Sequence, residues 1–124
     1  MKESTLAQQS IELAVCAVAY YKCLYREKHE YILSRQFLRS ATSIGANIHE
    51  AYYAVSRADF ISKMHIALKE SAETEYWLTI LARTGYSDER FSDVERLNLS
   101  VKKMLISTLN TSRRNQTKQQ ANEL

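Results

Sequence analysis

The sequence predicts an all-α protein, an antiparallel up-down-up-down four-helix bundle in a single domain, on three observations. The 124 residues include no proline and two glycines, so the turn chemistry that a many-stranded sheet needs is missing. Apolar residues recur at three- and four-residue spacings over four long stretches. The breaks between those stretches are short, which favours antiparallel neighbours. A chain of this length buries a working core without disulfides or metal.

Helix one is expected over about residues 5–25. Ala7, Ile11, Ala14, Val18, Tyr21 and Tyr25 follow one helical face, and Leu6, Leu13, Ala17, Tyr20 and Leu24 make a second beside it. Two apolar faces imply burial on more than one side, more than a lone bundle supplies, and hence self-association. Residues 26–30 form a charged connector. Helix two is expected over 32–55, with Phe37, Ala41, Ile44, Ile48, Ala51, Tyr52 and Val55 facing the core. Ser56-Arg57-Ala58-Asp59 has the S-x-x-D form of a capping box, so helix three, over 57–84, starts there. Its stripe is Phe60, Met64, Ala67, Leu68, Ser71, Thr74, Leu78 and Leu81, and Gly85 after Arg83 terminates it. Ser87, Asp88 and Glu89 signal the start of helix four, over 88–112, with Val94, Leu97, Val101, Met104, Leu105 and Leu109 inward. Residues 113–124, RRNQTKQQANEL, are polar and are expected to form a disordered tail.

The totals exclude several functions. A net charge of +3 and a pI near 8.9 permit a nucleic-acid partner without demanding one. Cys16 and Cys23, seven apart on one helix, lie about 10 Å apart along its axis and cannot bridge each other, so reduced thiols and a cytoplasmic location are expected. The sequons at Asn98, Asn110 and Asn115 are read as chance matches. The apolar run over residues 13–21 is about half a membrane span, so no membrane partner is expected. Bundles that hold two metal ions use Glu-x-x-His, which puts both ligands on one helical face. None of His29, His49 and His65 has a Glu three residues before it, and no HExxH, CxxC or His-x-His occurs. With no metal site, no readable nucleophile–base pair and no glycine-rich phosphate loop, the expectation is no catalytic residue, no cofactor and no enzyme.

The stretch SIGANIHEA, residues 43–51, sets Gly45, Asn47 and Glu50 among helix-two core residues. Glu70 and Glu73 share a face of helix three with Ile66, Trp77 and Ile80. Asn47, Glu50, Glu70 and Glu73 are therefore candidates for a structural polar network, with Arg35 and Arg39 supplying the opposite charge. Buried carboxylates would need such partners. Solvated side chains with weak pairs are the alternative on spacing alone. The small residues Ser40, Ser43 and Ala54 favour an interface.

LSRQFLRSATSIGANIHEA and DFISKMHIALKESAETEYWLTILARTGY, with SIELAV before them and STLNTSRRN after, resemble the four-helix-bundle family of 23S rRNA intervening-sequence proteins. The likeness covers nearly the whole chain, although Ala51 stands where many relatives carry glycine. It implies an antiparallel four-helix bundle, commonly a homopentamer with a central pore, and no established catalytic activity. Related accessory proteins of diversity-generating retroelements are basic pentamers that bind nucleic acid and a reverse transcriptase. Asn47, Glu50 and Glu73 fall within the shared pieces, which suits a common polar network. The expected function is a non-enzymatic oligomeric scaffold that binds RNA or DNA through phosphate contacts summed over a ring of subunits. Candidate contacts are Lys22, Arg26, Lys28, Arg35, Arg39, Lys102, Lys103, Arg113 and Arg114. Five +3 subunits carry about +15. The alternative is a scaffold for a partner protein, such as a reverse transcriptase, with Tyr31, Tyr52, Tyr53 or Tyr86 as anchors and no nucleic-acid role.

Overall fold

A computed structural model of the chain describes residues 5–123, in which the start of each helix is set by a side chain that takes up free backbone N–H groups. Helix α1, Leu6–Lys22, opens on a capping box: the Gln8 N–H donates to Thr5 Oγ1 at 3.1 Å and the Thr5 N–H to Gln8 Oε1 at 2.9 Å. Helix α2, Leu33–Ala51, has no cap from Ile32. Instead the Glu30 carboxylate accepts from the N–H groups of Leu33 and Ser34, at 3.1 and 2.6 Å. Helix α3, Arg57–Arg83, starts at Ser56, which accepts from the Asp59 N–H at 3.0 Å. Helix α4, Glu89–Asn122, starts at Asp88, which accepts from the Phe91 N–H at 3.0 Å.

Two helix ends are specific. After α3, Gly85 has φ +90°, the Tyr86 N–H returns to the Leu81 carbonyl at 2.9 Å, and the Gly85 N–H reaches Ala82 at 3.2 Å. This is the paired closure that a glycine at that position makes available. After α1 the chain widens into a π-helical turn, Cys23–Glu27, and closes with His29 at φ 55° and a Glu30 N–H bond to the Leu24 carbonyl of 2.9 Å.

Helix α1 packs on α2 and α4, and α3 packs on the same two, so sequence neighbours are spatial neighbours and the square closes between α1 and α4. All four pairs run antiparallel. Ser10 meets Gly45 while Tyr20 meets Phe37, and Ser40 bonds Thr74 while Glu50 bonds Lys63. Lys102 lies level with Glu75 and Arg113 with His65, and Gln9 bonds Ser100 while Cys23 bonds Asp88. The core runs through Leu13, Ala17, Tyr20, Leu24, Phe37, Ile44, Ile48, Met64, Leu81, Val94, Val101 and Leu105.

Two boundaries and one buried face differ from the sequence reading. Helix α2 ends at Ala51, so Tyr52 and Val55 stand exposed in the connection instead of facing the core. Only the second face of α1 is buried in the bundle, while Ile11 and Val15 on the other side are 63% and 64% exposed. The tail expected beyond residue 112 is helical to Asn122. No proline or glycine interrupts it. Once α4 is nucleated, each further Arg, Gln or Lys adds a backbone bond at little cost.

Candidate functional site

The polar face foreseen on α2 and α3 exists, with a different membership. Its centre is Arg39 on α2, which donates to the Glu73 carboxylate and, at 3.4 Å, to Glu70 Oε1. Trp77 Nε1–H donates to the same Glu73 oxygen at 3.1 Å, one turn along α3. The hydrogen bond from Arg39, reinforced by that from Trp77, holds the Glu73 carboxyl below its usual range. The same bond raises the already high pKa of the guanidinium. Arg39 is half exposed, so this is a surface network with an apolar flank.

Asn47 and Glu50 stand apart from it. Asn47 Nδ2–H donates back to the Ser43 carbonyl of its own helix at 2.8 Å, and Glu50 accepts from Lys63 at 3.1 Å in the open. The fully buried polar contacts fall elsewhere. Ser71 donates to Asn98 Oδ1 at 2.8 Å while Asn98 Nδ2–H returns to the Ser71 carbonyl at 3.2 Å, and Ser40 and Thr74 share a 2.9 Å bond. Buried and doubly bonded, Asn98 is shut away from any modification that its sequon would suggest. Gly45 answers to packing: a Cβ there would meet Ser10 Oγ at 3.2 Å, so glycine sets the close approach of α1 and α2.

The nine candidate phosphate contacts do not form one patch. Lys22, Arg26, Lys28 and Arg35 gather where α1 passes into α2, and Arg35 Cζ sits 6.0 Å from the centre of the Tyr25 ring. Arg39 is held by Glu70 and Glu73, Lys102 by Glu75 at 3.0 Å, and Lys28 lies 4.0 Å from Asp88. Lys103, Arg113 and Arg114 are exposed along α4, with Arg113 3.5 Å from His65 Nδ1. Arg113, Arg114 and Lys118 against Glu123 give residues 113–124 a charge of +2 out of the chain's +3.

Among the described residues, two surface depressions bear on function. One, of about 300 Å³, lies between α1 and α2 and is almost wholly apolar, lined by Ser10, Ile11, Ala14, Val15, Val18, Thr42, Gly45 and Ala46. The other, of about 710 Å³, lies between α3 and α4 against Glu75, Tyr76, Thr79, Glu95, Arg96 and Leu99. Among the described residues, no three His, Cys, Asp or Glu side chains converge as a metal site would require, and no helix is long and apolar enough to cross a membrane. Burial pushes both thiols up, Cys23 further through Glu27 and through its bond to Asp88. Thiols so placed are poor nucleophiles.

Residues 2–107 match the family model of the 23S rRNA-intervening sequence protein. The chain belongs to that family. A solved structure with the same fold is a protein of unknown function from the S23 ribosomal protein family of Bacteroides thetaiotaomicron VPI-5482. It is 48% identical to this chain, superposes with a TM-score of 0.82, and the match covers 85% of this chain and 98% of that one. No curated protein matches the chain in sequence. The family match stops at residue 107, whereas α4 runs on to Asn122 and carries most of the net charge there.

Proposed function

We propose that the protein is a non-enzymatic oligomeric scaffold that binds RNA or DNA by phosphate contacts summed over a ring of subunits, five being the expected number. The observation that carries this reading is the apolar groove of α1 and α2. Ile11, Val15 and Val18 face solvent on a helix whose opposite side already fills the core, beside the small residues Gly45 and Ala46. Such a stripe is an invitation to a second copy. Assembly also makes the charge matter, because a +3 subunit attracts phosphate weakly and a ring of about +15 does so strongly. The exposed cations Lys22, Arg26 and Arg35 at one site, with Lys103, Arg113 and Arg114 on α4, supply the contacts.

Protein purified at low salt is expected to carry nucleic acid, visible in the ratio of absorbance at 260 and 280 nm, and to lose it in a high-salt wash. Clean protein that shifts no RNA or DNA at low salt would overturn the proposal. The second reading, a scaffold for a partner protein, is favoured by one observation: Tyr52, Tyr53 and Val55 stand exposed together in the α2–α3 connection.

A further inference from the structure

We propose that the corner where α1 passes into α2 is a stacking site for the bases of single-stranded nucleic acid, which rests on the binding function above and says where and how the strand is held. Three tyrosines form a ladder there. Tyr21 and Tyr25 lie 5.6 Å apart between ring centres, and Tyr31 meets Tyr25 edge-on at 4.7 Å. His29 continues it 6.1 Å from Tyr31, its Nδ1 2.9 Å from the Tyr31 hydroxyl. The fold does not need this ladder to close its core. Tyr20 does that, packed edge-on against Phe37 and Phe91 with its hydroxyl donating to the Tyr86 carbonyl at 2.9 Å. Tyr31 is 44% exposed, and Ile32 beside it is more exposed still.

The backbone holds the ladder in an unusual shape. The π turn Cys23–Glu27 carries Tyr25, and His29 takes the left-handed conformation before Tyr31. Both are departures of a kind found more often at functional sites than elsewhere.

Charge selects the occupant. Arg35 lies over Tyr25, and Lys22 and Arg26 are exposed alongside. Two nearby carboxylates are turned onto helix N-termini, Glu30 at α2 and Asp88 at α4, which leaves Glu27 as the exposed acid of the corner. Aromatic faces among cations suit a ligand that is itself aromatic and anionic. A duplex hides its base faces in its own stack, whereas a single strand offers them. Because Glu30 already occupies the α2 N-terminus, phosphates fall to the side chains of Lys22, Arg26 and Arg35.

The test is fluorescence anisotropy of the full chain with a labelled oligoadenylate of about 15 nucleotides, and with its duplex with oligouridylate, at the same low salt. The single strand is expected to bind more tightly than the duplex. Tyr31→Ala is expected to weaken the single strand by about 5- to 150-fold, the range of one lost stacking contact, while duplex affinity stays within about 2-fold. Tyr31→Phe keeps the ring face and should keep the affinity. Glu27→Gln should tighten both. Binding that is salt-sensitive yet indifferent to Tyr31→Ala overturns the stacking site and leaves the phosphate-binding function standing. Equal loss on strand and duplex, or preference for the duplex, likewise overturns it. A wild-type chain that binds neither probe removes both readings.

Discussion

At the residue scale, each polar side chain acts according to how far water reaches it. Glu73 is partly exposed and Arg39 half exposed, so their ion pair is expected to contribute about 0.2–1 kcal/mol, far below a buried pair. Its sign with pH follows from the lowered Glu73 pKa. The contribution is present above the ordinary carboxylate range and is lost as pH falls through the lower folded value. Thermal melts of wild type and Glu73→Gln should therefore differ near neutral pH and converge at strong acid. Asn98 is the opposite case. Asn98→Ala leaves the buried Ser71 hydroxyl without the Asn98 acceptor and removes the second bond to the Ser71 carbonyl, and a loss of about 1–3 kcal/mol is expected in urea unfolding, with coupling to Ser71→Ala. The same cycle on Asn47 and Glu73 should be additive, since Asn47 bonds only its own helix. The Glu70–Glu73 part of the network was legible because residues three apart on a helix share a face. Asn47 and Glu50 were not excludable, because periodicity gives an angle around the axis and not the side-chain partner across a gap. The Ser71–Asn98 pair was hidden because a polar residue at core spacing reads the same whether or not a partner faces it.

At the element scale, local chemistry was the most legible and the absence of packing the least. Ser56, Gly85 and Asp88 act where the sequence placed helix boundaries, because a cap needs only its own few neighbours. The π turn after Lys22 left no readable signal, since Arg26 and Glu27 suit an ordinary helix as well. Helix α4 outruns its apolar spacing for a related reason: that spacing stops at Leu109, but a helix continues until something breaks it. That gives its last turns a testable character. Residues 113–122 are nearly all exposed and add little to the core, so a chain ending after Ser112 should melt within a few degrees of wild type. It should nevertheless bind RNA more weakly at low salt. Losing Arg113, Arg114 and Lys118 should flatten the slope of log affinity against log salt by about 2–3, at roughly one unit per cation lost. An unchanged slope would mean that phosphates never reach this helix.

At the scale of the whole molecule, the unresolved balance lies in the α1 surface. Ile11 and Val15 are each nearly two-thirds exposed on one subunit, so substitution there costs the subunit itself little, about 0.5 kcal/mol or less. In an assembly that covers this groove, a charge at Val15 has no partner and is expensive to desolvate. Val15→Glu is therefore expected to keep the wild-type helical signal and to fall from an assembled mass, about 72 kDa for five 14.3 kDa chains, to 14.3 kDa in light scattering. Val55→Glu, on a residue 94% exposed and away from the groove, should leave the assembly whole. A Val15→Glu chain that stays assembled places the interface on another face. The nucleic-acid consequence separates charge from assembly. Val15→Glu lowers the subunit from +3 to +2, so weaker RNA binding by that variant alone would be ambiguous. Val15→Arg raises it to +4 and is expected to disrupt the proposed interface as Val15→Glu does. If summation around a ring is what holds phosphate, both variants lose affinity at low salt despite their opposite charges. If only local charge counts, Val15→Arg binds at least as well as wild type, and the ring has no part in recognition.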